Sequence, residues 1–124
     1  MEKGVDSLVH IFPRELLEQF NLVGSVVKTD ASNGGEYLEV EFREKSILGE
    51  GYSAVEWESK GFYTGRFKDF PLRGRPVFLV LHRRRWRNKQ SGESFSRPLG
   101  FIAEGSRFTK EVAAFLKDIG RDAS

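Results

Sequence analysis

Arg83, Arg84, Arg85 and Arg87 surround Trp86, and Lys89 follows two residues later. Guanidinium groups stay charged at every relevant pH and hold a phosphate through two parallel hydrogen bonds, so such a row has the chemistry to grip a polyanion. The cluster continues an apolar run, Val77 to Leu81. In extended chain, side chains alternate, which puts Arg83, Arg85 and Arg87 on one side and Arg84 and Trp86 on the other. Asn88 to Glu93 reads as a hairpin loop with Gly92 at its tight position, and Ser94 to Leu99 returns as a short strand carrying Arg97. Between Arg66 and Arg97 there are ten Lys/Arg, among them Arg73 and Arg75, and only two acids, Asp69 and Glu93. A two-stranded ribbon of this kind enters a DNA groove or lies along the backbone. Trp86 has two readings: a base-stacking ring, or packing beneath the arginine stems, which is the commoner use. The arginines also have a competing reading, as surface salt bridges to Glu39, Glu41 and Glu44 on a neighbouring strand.

Other chemistries find little support. The chain has no cysteine, which excludes disulfides, thiolate metal sites and a cysteine nucleophile. His10 and His82 stand far apart, a weak basis for a metal site. His82 reads as a structural or phosphate-neighbouring residue. No serine sits in a nucleophile elbow, and neither "GEG" nor "GGE" matches a phosphate-binding loop. Asp30, Asp69 and Glu104 have ordinary turn or surface readings, with no ligand spacing. The expectation is therefore no catalytic residue, no metal and no cofactor.

The elements that must position the cluster follow from periodicity. "FPRELLEQF" reads as a helix, with Pro13 in its first turn and Asn21 at its end. "LVGSVVKTD" and "EYLEVEFREK" read as two strands of a hairpin joined by "ASNGG". In the second strand Leu38, Val40 and Phe42 alternate with Glu39, Glu41 and Arg43, giving one buried and one wet face. "SAVEWESKGFY" is a strand bulged or broken at Gly61, "KDFPLRGRP" a turn, and "GFIAEG" a further short strand. A final helix starts at an N-cap Thr109, presents Val112, Phe115, Leu116 and Ile119 as a stripe, and stops at Gly120. The predicted class is α+β: a small antiparallel β-sheet with a basic hairpin and one helix at each end. Residues 1–105 form the expected domain, and 106–124 a helix joining it to a following part.

At 124 residues, 39% apolar and 31% charged, with eleven Phe, the chain is long enough for one aromatic-rich core. The net charge of +2 hides an asymmetry. Residues 1–58 hold five Lys/Arg and twelve acids, −7; residues 59–124 hold fifteen and six, +9. Such sorting suits a polyanion partner. No apolar stretch is long enough to cross a bilayer and no apolar signal region opens the chain, so the expected location is cytoplasmic, without membrane contact.

Five segments in order, "ESKGF", "DFPLRG", "RRRWRNKQSGE", "EGSRFT" and "AAFLKDI", resemble the N-terminal region of bacterial insertion-sequence transposases of the ISAon type. The likeness covers residues 56–120 and, more loosely, the first helix. It extends distantly to the zinc-binding N-terminal domain of larger insertion-sequence transposases, with Asn88 and the neighbourhood of Gly92 standing where that domain has cysteines. The resemblance implies a metal-free, non-catalytic domain that recognises the element's terminal repeats in double-stranded DNA during transposition. A helix-turn-helix and a nuclease part would lie elsewhere, so a separate transposase catalytic chain is a second implied partner. The expected contacts are Arg83, Arg84, Arg85, Trp86, Arg87 and Lys89, supported by Arg73, Arg75 and Arg97. The alternative is a protein-interaction module associating with itself or with the catalytic part.

Overall fold

The computed structural model describes residues 11–103 and 107–123. His10, Glu104 and the boundary between residues 105 and 106 lie outside the described residues, as does the side chain of Ile119. The fold is α+β, a five-stranded mixed sheet with a helix towards each end of the chain.

Pro13, at φ −54°, leads into helix α1 (Arg14–Gln19). The helix stops before Asn21 because Phe20, 1% exposed, is drawn into the core as the first residue of strand β1 (Phe20–Thr29). Strand β1 pairs antiparallel with β2 (Glu36–Glu44), as the hairpin reading expected. In the turn between them, Asp30 accepts the Ser32 backbone N–H at 2.9 Å and the Ser32 hydroxyl at 2.6 Å, a side-chain-built turn.

Strand β3 (Trp57–Leu72) is bulged between Ser59 and Phe62, where Gly61 sits at φ 84°. It turns into β4 (Arg75–Asn88) through two residues only, Arg73 at φ 51° and Gly74 at φ 77°. Two successive left-handed residues match the twist of an antiparallel ribbon, so the strands run nearly to the tip where the sequence reading had a longer turn. Strand β5 (Ser94–Phe95) then pairs antiparallel with the far end of β4 and closes the basic hairpin, but it is two residues long where the sequence reading had Ser94 to Leu99, so Arg97 lies beyond the strand. Instead of the strand expected over "GFIAEG", the structure has an isolated bridge between Ile102 and Thr109.

The sheet order is β1-β2-β4-β3, and β2 pairs with β4 in parallel. The sheet is therefore mixed rather than wholly antiparallel. The two-residue turn forces β3 and β4 to be antiparallel, and the connection over residues 45–56 carries the chain to the far edge first. Strand β4 then inserts beside β2 in the same direction.

One face of the sheet is buried. Val40 and Phe42, Phe67, and Val77, Leu79 and Leu81 pack under Phe12 and Leu16 of the α1 segment and under Phe101. On the opposite face, register sets Glu39, Glu41 and Arg43 beside Phe78, Val80 and His82, which in turn stand beside Lys68, Arg66 and Thr64. No second layer covers Phe78 among the described residues; instead the Arg66 guanidinium lies 3.7 Å from its ring centroid, a cation–π cover.

Helix α2 (Lys110–Ala123) is fastened at its start. Thr109 Oγ1 accepts the Val112 N–H at 3.5 Å and donates to Asp69 Oδ1 at 3.0 Å, so one hydroxyl caps the helix and anchors it to β3. The helix continues through Gly120, because a glycine weakens a helix without ending it. Val112 is buried, but Phe115 and Leu116 of the same stripe face outward at 52% and 46% exposure. No helix among the described residues is long and apolar enough to cross a membrane.

Candidate nucleic-acid interface

The far end of β4 carries the arginine row, and the structure divides it in two. Arg83 is half-buried, and its Nη2 donates to the Arg97 carbonyl at 2.8 Å. Arg84 donates from Nε to the Glu44 carbonyl at 3.1 Å and from Nη1 to Ser59 Oγ at 2.9 Å. Arg97 donates to the Ile47 carbonyl at 3.2 Å. These three guanidinium groups brace the end of β4 against β2, β3 and the loop after β2. Arg85, Arg87 and Lys89 are exposed. Arg85 lies 5.2 Å from the Tyr63 ring centroid and Arg83 5.3 Å from it. Arg84 lies over Phe62 at 4.7 Å. Their division between two rings follows the alternation read from the sequence.

Trp86 is 4% exposed, so of its two readings the packed one applies and no ring face is open to a base. Register places it between Ser59 and Phe95. Phe95 belongs to a cluster that sequence reasoning missed. Its ring stacks on Tyr52 at 4.3 Å, and Trp57 meets Phe95 and Tyr52 edge-on at 5.0 and 5.4 Å. This cluster fixes the hairpin to the loop after β2. Its only trace in the sequence is an aromatic residue in each of three segments with turn-like flanks.

The acidic half neutralises part of the basic half. Glu39 pairs with Lys28 at 2.8 Å and Arg66 at 3.5 Å, and Glu36 with Arg75 at 3.0 Å. His82 lies between Glu41, 2.5 Å from Nε2, and Thr64, 2.9 Å from Nδ1, which suits a structural link. Among the described residues, Arg83, Arg84, Arg85 and Arg87 have no ion pair with a carboxylate. Glu44 is buried and accepts the Arg84 backbone N–H at 2.8 Å, and register sets Glu58 opposite Arg87.

Arg73 and Arg75 are not brought to the cluster. They stand at the opposite end of the ribbon, twelve residues from Arg87 along β4 for Arg75, or about 40 Å at strand rise. Arg73 is exposed at the tip of the β3–β4 turn, and Arg75 is held by Glu36. Asp30 and Asp69 are likewise separate, one in the β1–β2 turn and one buried under α2. Among the described residues, no three His, Asp or Glu side chains form a group able to hold a metal ion.

Two buried carboxyls have a consequence for pH. Burial pushes Glu44 above the usual carboxylate range, against the Arg84 N–H and the charges of Arg83, Arg97 and Arg84 that pull it down. Burial raises Asp69 similarly, against the Phe70 N–H and the Thr109 hydroxyl. A carboxyl whose folded-state pKa exceeds its unfolded one holds its proton more tightly when folded, so its contribution to stability falls as pH rises through that interval. Thermal melts should show Glu44→Gln and Asp69→Asn gaining on the native chain as pH rises from about 4 towards 8, with the difference smallest at the acid end.

Comparison of the chain with protein-family models, with curated proteins and with solved structures finds no match.

Proposed function

We propose that this chain binds double-stranded DNA through the basic β4–β5 hairpin, without catalysis of its own, as the end-recognising N-terminal domain of a transposase. The observation that carries the DNA reading is the exposed row Arg85, Arg87 and Lys89, on a hairpin fixed by Trp86 and the Tyr52–Trp57–Phe95 cluster, with no carboxylate paired to it among the described residues. Un-neutralised cations meet phosphates without first giving up a carboxylate; Arg85 rests against the Tyr63 ring and the Lys89 ammonium donates to the Ala54 carbonyl at 3.4 Å. The transposase assignment rests on the five ordered segments named above. In this reading Arg83, Arg84 and Arg97 position the row, Trp86 supports it from below, and Arg73 reaches a separate stretch of backbone.

A salt titration tests it. With about four phosphates neutralised, the logarithm of the duplex affinity should fall against the logarithm of salt concentration with a slope near −3.6. A flat titration, or no binding at low salt, overturns the proposal.

The exposed Phe115 and Leu116, with Phe115 edge-on to Phe70 at 5.7 Å, favour a second reading as a protein-interaction module, the partner being the separate catalytic chain. Association there should strengthen or hold as salt rises, whereas contact between the oppositely charged halves should weaken.

A further inference from the structure

A cleft of about 520 Å³ follows β3 from Thr64 to Lys68, a span of about 13 Å at strand rise. Its walls are the rings of Phe78 and Phe108 and the side chains of Arg66, Lys68 and Arg107. Two separate chain segments build it. Arg66 and Lys68 leave β3 on the same face, because side chains two apart return to one side. Arg107 comes from the stretch before α2, which backbone bonds lay beside β3. The Lys68 N–H donates to the Arg107 carbonyl at 2.7 Å, and the Lys68 carbonyl accepts the Thr109 N–H at 3.1 Å. Gly65 leaves room for this approach: a β-carbon there would fall 2.8 Å from Phe67 Cε2 and 3.6 Å from Arg107 Nη1.

The charge in the cleft is one-sided. All three cations are exposed. Glu39, which also pairs with Lys28, meets Arg66 on its Nε side at 3.5 Å. Among the described residues, Lys68 and Arg107 pair with no carboxylate. Rings hold these cations instead. The Arg66 guanidinium lies 3.7 Å from the Phe78 ring centroid, the Lys68 ammonium 5.9 Å from it, and the Arg107 guanidinium 5.5 Å from that of Phe67. A guanidinium laid over a ring keeps its in-plane N–H donors for a ligand.

We infer that this cleft binds a nucleotide, its phosphate held by Lys68 and Arg107 and its base laid against Arg66 and the phenyl walls. Lysine and arginine donors hold phosphate through charge-assisted bonds, and bases stack on aromatic rings and on arginine planes. A bare phosphate would leave the apolar walls and most of the volume unused, since the cleft has the size of a small-molecule site. An uncharged ligand would cover three cations without pairing them. Arg66 stands opposite Val80, seven residues before Arg87 on β4, or about 23 Å at strand rise, so the site is separate from the hairpin and does not rest on the DNA reading. A free mononucleotide and the 5′-phosphorylated end of a strand present the same chemistry.

Titration of the full ¹⁵N-labelled chain with adenosine 5′-monophosphate tests the inference. Amide shifts should saturate at residues 64–68, 78 and 107–108, with a dissociation constant below about 1 mM. Ribose 5-phosphate, which lacks the base, and adenosine, which lacks the phosphate, should each bind about tenfold more weakly or worse. Lys68→Ala with Arg107→Ala should cost about tenfold or more. The fold should survive that change, because the bonds fastening the segment are backbone ones. The Arg85, Arg87 and Lys89 alanine variant should bind the mononucleotide as the native chain does, so failure here and failure of the hairpin reading are distinguishable. A 5′-phosphorylated single strand that outbinds its unphosphorylated twin and the mononucleotide assigns the site to strand ends; no gain over the mononucleotide assigns it to the free nucleotide. Shifts that do not saturate, shifts confined to other residues, a double variant that binds as before, or ribose 5-phosphate binding as tightly as the nucleotide would each overturn the inference.

Discussion

Changing Arg85, Arg87 and Lys89 together to alanine lowers duplex-DNA affinity by roughly two to three orders of magnitude at about 0.1 M salt, with thermal stability nearly unchanged. The size follows from counterion release: three phosphate contacts each contribute about 0.9 to the salt slope, so removing them reduces it from near −3.6 to near −0.9. The side chains are exposed and without ion pairs among the described residues, and surface changes of that kind stay within about 0.5 kcal/mol. Fluorescence anisotropy across a salt series, with a melt of each variant, measures both quantities. Changing Arg83 and Arg84 instead is a poorer probe, because it removes braces to Arg97, Glu44 and Ser59. A triple variant that binds as the native chain does would remove the hairpin from the interface.

Trp86→Ala should be the most damaging single change at the hairpin, at about 3–5 kcal/mol. The ring is almost wholly buried where β3, β4 and β5 come together at Ser59 and Phe95. Removing it leaves a cavity beneath the arginine braces, and a two-residue strand such as β5 has little else to hold it. Urea denaturation should show a large fall in midpoint, and Trp86→Phe a smaller one, because most of the apolar volume remains. If Trp86→Ala kept full stability yet lost DNA binding, Trp86 would contact the nucleic acid directly, and its role as a support would be wrong.

These two variants separate what the arginine row does from what holds it, and the distinction lies in tertiary structure. The sequence pattern was enough for the local elements. Period-two alternation identified β2, and the "ASNGG" turn its pairing with β1. Gly61 marked the bulge, and Thr109 the start of α2. The apolar-to-basic change along β4 was also legible, because a strand's alternation does not depend on what lies beside it.

Neighbours across the fold decided the rest. Whether an arginine is free or serves as a brace depends on which carbonyls the loops bring to it, so Arg83, Arg84 and Arg97 could not be told from Arg85 and Arg87 by residue type. Arg73 and Arg75 are close to the cluster in sequence, but a long extended strand puts them at the other end of the ribbon. The parallel β2–β4 pairing came from the route of the connection, which has no residue pattern. Burial settled the place of Trp86, and burial is a property of the assembled layers. Strand periodicity is set by each residue's own stereochemistry, whereas partners and exposure are set by distant chain segments meeting in space.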